Sequence, residues 1–275
     1  MSPWRASAPL TREWEHFDFT VADGVGTITF NRPEVLNALT FQVYADLRDL
    51  LAELPLRDDV RVLVMSGSGR GFCSGGDVHE IIGELLKMES RDLLDFTRMT
   101  GSVVQRMREC PLPIIAAING VAAGAGSVIA LAADFRLMAE GASFAFLFTK
   151  VGLAGADMGS AYLLPRIVGF GRATELLILG EKVEAAKAVE IGLASSVVAP
   201  GDLMATANEL ALRLASGPSF AYGTTKMLLS RELDSDLGSA LELEAMTQAL
   251  LMTTEDHREF YRAFTEGRPP KWTGR

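Results

Sequence analysis

The 275-residue sequence predicts an α/β fold of stacked ββα-type units followed by a helical C-terminal region. Two observations carry the repeat. The strand-like run 61–65 (RVLVM) opens into the small-residue stretch SGSGRGFCSGGD ahead of a helix, and Ile114–Ile118 opens into Asn119-Gly120-Val121-Ala122-Ala123-Gly124-Ala125-Gly126 ahead of another. A third observation sets the helical region apart: after residue 200 amphipathic patterns follow one another with little strand signal between them. The expected organisation is a polar N-terminal leader over 1–16, a ββα core over 17–200 and a helical region over 201–275. No low-complexity linker separates the last two, so that boundary is a change of layer.

The elements follow in order. Residues 17–30 read as two short strands joined by a Gly-containing turn. After Asn31-Arg32-Pro33, Thr40 is placed to cap a helix whose apolar residues Val43, Leu47, Leu50, Leu51 and Leu54 line one face. Past the strand at 61–65 a helix is expected near Val78. The stripe Leu93, Leu94, Phe96, Met99, Val103, Val104, Met107 predicts a further helix, which Pro111 and Pro113 end before the strand Ile114–Ile118. Residues 143–155 are apolar and glycine-spaced, and Asp157 precedes a helix through Tyr162, Leu163 and Ile167. Amphipathic helices are expected at 202–215, 220–229, 237–251 and 255–264.

Composition narrows the function. With 48% hydrophobic and 22% charged residues the chain resembles a globular protein with a large core. Its apolar runs stop well short of the roughly 18 residues of a spanning helix, so no membrane association is expected. Residues 1–14 carry Arg5 and Arg12 without an apolar stretch of secretory length, which predicts a cytoplasmic protein. Cys73 and Cys110 have no His or Cys at ligand spacing, so neither a disulfide nor a metal site is expected. The net charge of −9 argues against a nucleic-acid partner, which needs a basic footprint.

The two glycine-rich loops set side-chain-poor backbone just ahead of a helix. Unpaired N–H groups collect there, and small residues let a ligand oxygen approach the main chain. Two such donors meeting on one oxygen would form an oxyanion hole for charge developing on a carbonyl. Read singly, each loop is equally a tight strand-to-helix turn.

Taken as an ordered set, Asn31-Arg32-Pro33 with Asn37-Ala38-Leu39, then Gly71-Phe72-Cys73-Ser74-Gly75-Gly76-Asp77-Val78, then Asn119–Gly126 and Ala132-Ala133-Asp134, resemble the signature of the enoyl-CoA hydratase/isomerase (crotonase) superfamily over about residues 17–265. The resemblance implies a crotonase-like spiral of ββα units, a helical C-terminal trimerisation region and acyl-CoA thioesters as substrates. No cofactor is implied, since CoA enters as the substrate thioester. Matched residue by residue, it implies oxyanion-hole amides at Ser74 and Ala125. The thioester would lie against Ala38, Cys73, Gly75, Gly76, Asp77, Val78, Val121, Gly124, Val128 and Phe148; because CoA is anionic, Arg32 and Lys226 are candidate phosphate contacts, or equally snorkelling surface side chains.

One departure from the pattern bears on the reaction. Hydratases of the family use two glutamates, and the matching positions hold Val128 and Phe148, neither of which transfers a proton. What remains is Asp157 in Gly155-Ala156-Asp157-Met158-Gly159-Ser160, where the sequence resembles the dienoyl-CoA and phenylacetate-pathway isomerases at their catalytic aspartate. One carboxylate suffices for a 1,3-proton shift, and Phe146, Phe148, Leu153 and Met158 are expected to surround it and raise its pKa. Alternatively, Asp157 is the N-cap of the helix that follows. His79, Glu80 and Glu84 follow the first loop at helical spacing, either reaching the pocket or forming a solvated face. A Cys73–His79 thiolate pair is less favoured than Cys73 as a small loop filler. Phe146 and Phe148 suggest a pocket for a flat or cyclic acyl group. Apolar faces carrying Leu243, Met246, Leu250, Phe260 and Phe264 suggest a homotrimer or dimer of trimers. The competing readings are enoyl-CoA hydration, thioester or ring hydrolysis, and non-catalytic acyl-CoA or RNA binding.

Overall fold

The computed structural model of the protein describes residues 10–11 and 13–274, so most of the expected leader lies outside the described residues. Its described part is attached to the core: the Thr11 N–H donates to the Glu53 carboxylate at 3.0 Å, and Trp14 stacks on Phe17 with 5.8 Å between ring centroids.

Strand β1 (Asp18–Ala22) pairs antiparallel with β2 (Val25–Phe30). Asp23 (φ 50°) and Gly24 (φ 78°) are both left-handed, the conformation whose twist matches a two-residue hairpin loop. Helix α1 (Phe41–Glu53) starts at Thr40, whose Oγ1 accepts from the Val43 N–H at 3.3 Å. It buries Val43, Tyr44, Leu47, Leu50 and Leu51. Next come β3 (Val62–Gly67), β4 (Gly71–Cys73), a π-turn at Val78–Ile82 that runs into the short α2 (Gly83–Leu85), and α3 (Ser90–Glu109). The second repeat is β5 (Ile114–Ile118), β6 (Val121–Ala123) and α4 (Ala125–Ala132). A third consists of β7 (Phe135–Ala139), β8 (Ser143–Ala145), a 3-10 turn at Leu147–Val151, α5 (Ser160–Val168) and α6 (Phe170–Leu179).

Each repeat gives one strand to each of two sheets, which confirms the expected stacking. One sheet runs β1-β2-β3-β5-β7-β10 and the other β4-β6-β8-β9, where β9 is Lys182–Glu184 and, after α7 (Ala185–Glu190), β10 is Ser196–Val198. From β2 to β10 every pairing in the larger sheet is parallel. Parallel strands need cover on both faces, and β5 is accordingly buried at every residue. Strands β4 and β6 to β10 were not read as strands from the sequence; all but β7 have only three residues, which give no readable periodicity.

Helix α8 (Leu203–Ala215) packs on β2, β3, β5 and β7, burying Leu203, Ala207, Ala211 and Ala215. The boundary expected at residue 200 therefore falls before a helix that covers the sheet. The outer layer is α9 (Ser219–Glu232), α10 (Leu237–Leu251) and α11 (Glu255–Glu266), with α9 packed on α3 and α10. No helix among the described residues is long and apolar enough to cross a membrane.

Candidate active site

The two glycine-rich loops meet. A β-carbon added to Gly126 would stand 2.2 Å from the Cys73 carbonyl oxygen, and one added to Gly75 would stand 3.4 Å from the Ala125 nitrogen. The end of β4 thus abuts the first turn of α4. Gly75 (φ 100°) and Gly124 (φ 50°) take backbone conformations closed to most side chains. Among the described residues the Ala125 N–H, at the first position of α4, has no acceptor. The preceding Gly124 N–H is donated to the Ala145 carbonyl at 2.9 Å. Ser74 differs from its expected role as a free donor: its N–H is donated to the Leu36 carbonyl at 3.0 Å, and its Oγ to the Val35 carbonyl at 3.2 Å.

A polar clasp holds these loops. The Asn37 amide donates to the Ser68 and Gly71 carbonyls and accepts from the Arg32 N–H, and Asn119 donates to the Gly69 and Gly71 carbonyls while accepting from the Gly67 N–H. Neither asparagine was expected to position the site, although both stand in the motifs. Asp77 caps the turn at Val78: Oδ1 accepts from the His79 and Glu80 N–H groups at 3.0 and 3.1 Å, and Oδ2 lies 3.2 Å from the Arg32 guanidinium. These backbone donations, that of Glu80 first, hold its carboxyl below the usual range despite desolvation. The other Arg32 nitrogen donates to the Ala38 carbonyl at 2.7 Å, and Glu80 completes the set at 2.9 Å. Arg32 and Asp77 are therefore spent on the loop, which corrects their expected role as ligand contacts. Glu80 is tied to Arg32, Glu84 pairs with Lys87, and Val78 and His79 are exposed.

Asp157 lies in the turn before α5, but Gly159 is the N-cap, so the capping alternative fails. The turn is rigidly pinned. The Asp157 N–H donates to Ser160 Oγ at 3.1 Å, Ser160 Oγ donates to the Gly155 carbonyl at 2.9 Å, and a β-carbon on Gly155 would strike the Leu177 carbonyl at 2.2 Å. Asp157 Oδ1 accepts from the Met158 N–H at 2.8 Å, whereas Oδ2 has no partner among the described residues. Burial pushes the carboxyl pKa up, and the Met158 N–H works against that rise. Tyr44 of α1, unforeseen as a site residue, stands in the same neighbourhood. Its phenol is raised well above the ordinary value by burial, then by charge at Cys73 and at Asp157.

Several expected contacts are corrected by burial. Cys73 and Val128 are sealed, at 0% exposure, and present no surface to a ligand. Burial pushes the Cys73 thiol up to about 12, against thiolate chemistry. Phe146 is likewise sealed, stacked on Phe144 at 6.3 Å, and Leu153 is exposed at 59%, so of the four expected neighbours only Phe148 and Met158 are buried without being sealed. Lys226 is buried with its ammonium 2.8 Å from Asp134 and 3.0 Å from the Leu112 carbonyl, at the opposite end of α4 from Ala125, and cannot hold a phosphate there. Ala38 and Gly75 are buried, while Gly76, Val121 and Gly124 keep partial exposure around the joined loops. Beyond Met158 and Gly159 a groove of about 440 Å³ opens between α3, α5 and α9, lined also by Val104, Tyr162 and Leu163. Among the described residues no three His, Cys, Asp or Glu side chains gather as a metal site would require.

Comparison with known proteins gives this geometry a context. A family model described as Enoyl-CoA hydratase/isomerase matches residues 20–275. The chain is 37% identical to the 1,2-epoxyphenylacetyl-CoA isomerase of Escherichia coli (strain K12), over 93% of this chain and 97% of that protein. It is 38% identical to a Rhodobacter capsulatus protein named as a candidate enoyl-CoA hydratase, over 94% and 97%. A solved structure of a candidate enoyl-CoA hydratase from Streptomyces coelicolor A3(2) superposes with a TM-score of 0.98 at 61% identity, covering both chains fully.

Proposed function

This chain belongs to the enoyl-CoA hydratase/isomerase family, and on that premise we propose that it shifts a double bond in an acyl-CoA thioester, with Asp157 as the proton carrier. One observation carries the reading. The positions matched to the hydratase glutamates hold the buried apolar residues Val128 and Phe148, while Asp157 keeps one carboxylate oxygen unpaired. Ionised Asp157 takes a proton from the α or γ carbon, and the electron pair moves onto the thioester oxygen as an enolate. The resulting carboxylic acid then returns the proton to the other carbon.

The Ala125 N–H, at the positive end of α4, is the donor for that oxygen. Ser74 is the second, its N–H shared between the Leu36 carbonyl and the thioester oxygen once the substrate is bound. Ala38, Gly75, Gly76, Val121 and Gly124 supply backbone walls, and the acyl group extends toward the groove past Met158. The raised pKa suits the role, since a base that holds its proton more tightly is the stronger base once ionised. CoA arrives with the substrate, so the reaction needs no other cofactor.

The exposed apolar side chains Leu237, Leu241, Met246, Leu250, Phe260 and Phe264 are covered, on this reading, by further copies of the chain in a trimer or a dimer of trimers. Sedimentation equilibrium tests that part. For the reaction, a panel of linear and ring-bearing enoyl-CoAs is incubated in deuterium oxide. Label is expected at the α or γ carbon together with the shifted isomer, and a hydrated product without label exchange would refute the assignment.

A further inference from the structure

The hydroxyl of Tyr44 has no part in the proton transfer just described. The residue is 3% exposed, and its ring meets Phe96 of α3 edge-on with 6.0 Å between centroids; Phe41 meets the same ring at 5.2 Å. Phe96, Thr100 and Val104 fall on one face of α3 at i, i+4 and i+8. Val104 Cγ1 lies 3.7 Å from where a β-carbon on Gly159 would stand, two residues past Asp157. One face of α3 therefore runs from Tyr44 to the turn that carries the proposed proton carrier.

Among the described residues the Tyr44 hydroxyl has no hydrogen-bond partner, and it is not sealed in the core as Trp14 Nε1 and Glu232 Oε1 are. It borders open space. A buried phenol ordinarily finds a partner, because desolvating its hydroxyl without one is unfavourable. Asp157 Oδ2 is a second unpaired polar atom in this neighbourhood, and no hydrogen bond joins the two groups. The phenol lies within electrostatic reach of Asp157. A donor and an acceptor are thus both left unpaired in one neighbourhood, with the ring of Phe96 packed against the phenol. Burial and the nearby negative charge keep the phenol protonated, so it acts as a donor.

We propose that Tyr44 is a specificity-determining residue: its hydroxyl donates a hydrogen bond to an oxygen on the acyl group, so that the site selects oxygen-bearing acyl thioesters over plain hydrocarbon ones. A site built around such a bond disfavours the analogue that lacks the oxygen, because the protein group is then left unpaired. The proposal rests on the reading above only in placing the acyl group beside Asp157, and it is tested by binding, not turnover.

The probes are two saturated pairs, butyryl-CoA with 4-hydroxybutyryl-CoA and phenylacetyl-CoA with 2-hydroxyphenylacetyl-CoA, titrated calorimetrically into the full-length protein and its Tyr44→Phe variant. The wild type is expected to bind the oxygen-bearing member of at least one pair about tenfold more tightly, the worth of one hydrogen bond. Tyr44→Phe is expected to abolish that preference while leaving the hydrocarbon Kd within about twofold. Absence of any preference in the wild type, or equal weakening of both members in Tyr44→Phe, overturns the proposal. Tyr44→Leu provides a second variant should Tyr44→Phe fold poorly. If isotope exchange fails in the wild type while the preference and its loss persist, the isomerase reading falls and this one stands. If exchange succeeds with no preference, only this one falls.

Discussion

The carbonyl oxygen of Cys73 occupies the space that a β-carbon on Gly126 would need, 2.2 Å away. That contact seats the end of β4 on the first turn of α4 and brings Gly75 against the Ala125 amide. Gly126→Ala is expected to push the two loops apart, lowering stability by about 1–3 kcal/mol, the usual cost of overpacking, and removing most turnover. Scanning calorimetry together with an isomerisation assay reads both effects, and unchanged values would show that the loops need not touch.

Asp157→Asn should lower isotope exchange by about 10²–10⁴-fold while saturated acyl-CoA still binds. The same variant carries a stability signature. Burial raises the folded pKa of Asp157 above its unfolded value, so the contribution favourable to folding is present below the unfolded pKa and is lost as pH rises through the folded one. Asparagine mimics the protonated form, and Asp157→Asn is therefore expected to have the higher Tm at pH 7, with the gap closing below about pH 4. For the wild type, the acid limb of kcat/KM should have its midpoint above the ordinary aspartate value of about 3.9.

Proline is tolerated at the first position of a helix, where the missing N–H has no intrahelical partner. Ala125→Pro therefore deletes one amide and leaves α4 in place. The expected outcome is a fall of about 10²–10³-fold in kcat with circular dichroism unchanged, and a fall below tenfold would remove Ala125 from the oxyanion site.

Asp77 accepts two backbone N–H groups and faces Arg32. Asp77→Ala should cost about 1–2 kcal/mol in urea unfolding at neutral pH, the value of a helix-type cap. Because the folded pKa is depressed, the stabilisation is present above the unfolded value of about 3.9 and is lost as pH falls through the lower folded one. The two proteins should thus converge in acid, and a difference that persisted there would point to packing instead of charge.

The meeting of the two glycine-rich loops was legible in the motifs, and what the motifs did not show has identifiable causes. Asp157 and the two glycine-rich loops stand out because their residue types are costly without a reason. Asn37 and Asn119 were visible in the same motifs, yet their work is to bond carbonyls roughly 30 to 50 residues away, a pairing that local spacing does not encode. Tyr44 gave no signal because it stands on the apolar stripe of α1, where an aromatic reads as core. Lys226 was misread because a lone lysine in a helical region looks solvent-facing until Asp134 is found beside it.

By itself, then, the sequence determined the order of ββα units, the small residues that allow two main-chain segments to touch, and the apolar identity of Val128 and Phe148, where the resemblance implies glutamates in hydratases. Periodicity and side-chain size are local properties, and they survive without coordinates. Only the tertiary structure decided which polar atoms remain unpaired: the Ala125 amide and Asp157 Oδ2 do, whereas Ser74, Arg32, Asp77 and Lys226 are already engaged. Hydrogen bonds between distant segments and desolvation depend on what folds against each group, and no reading of neighbours along the chain supplies that.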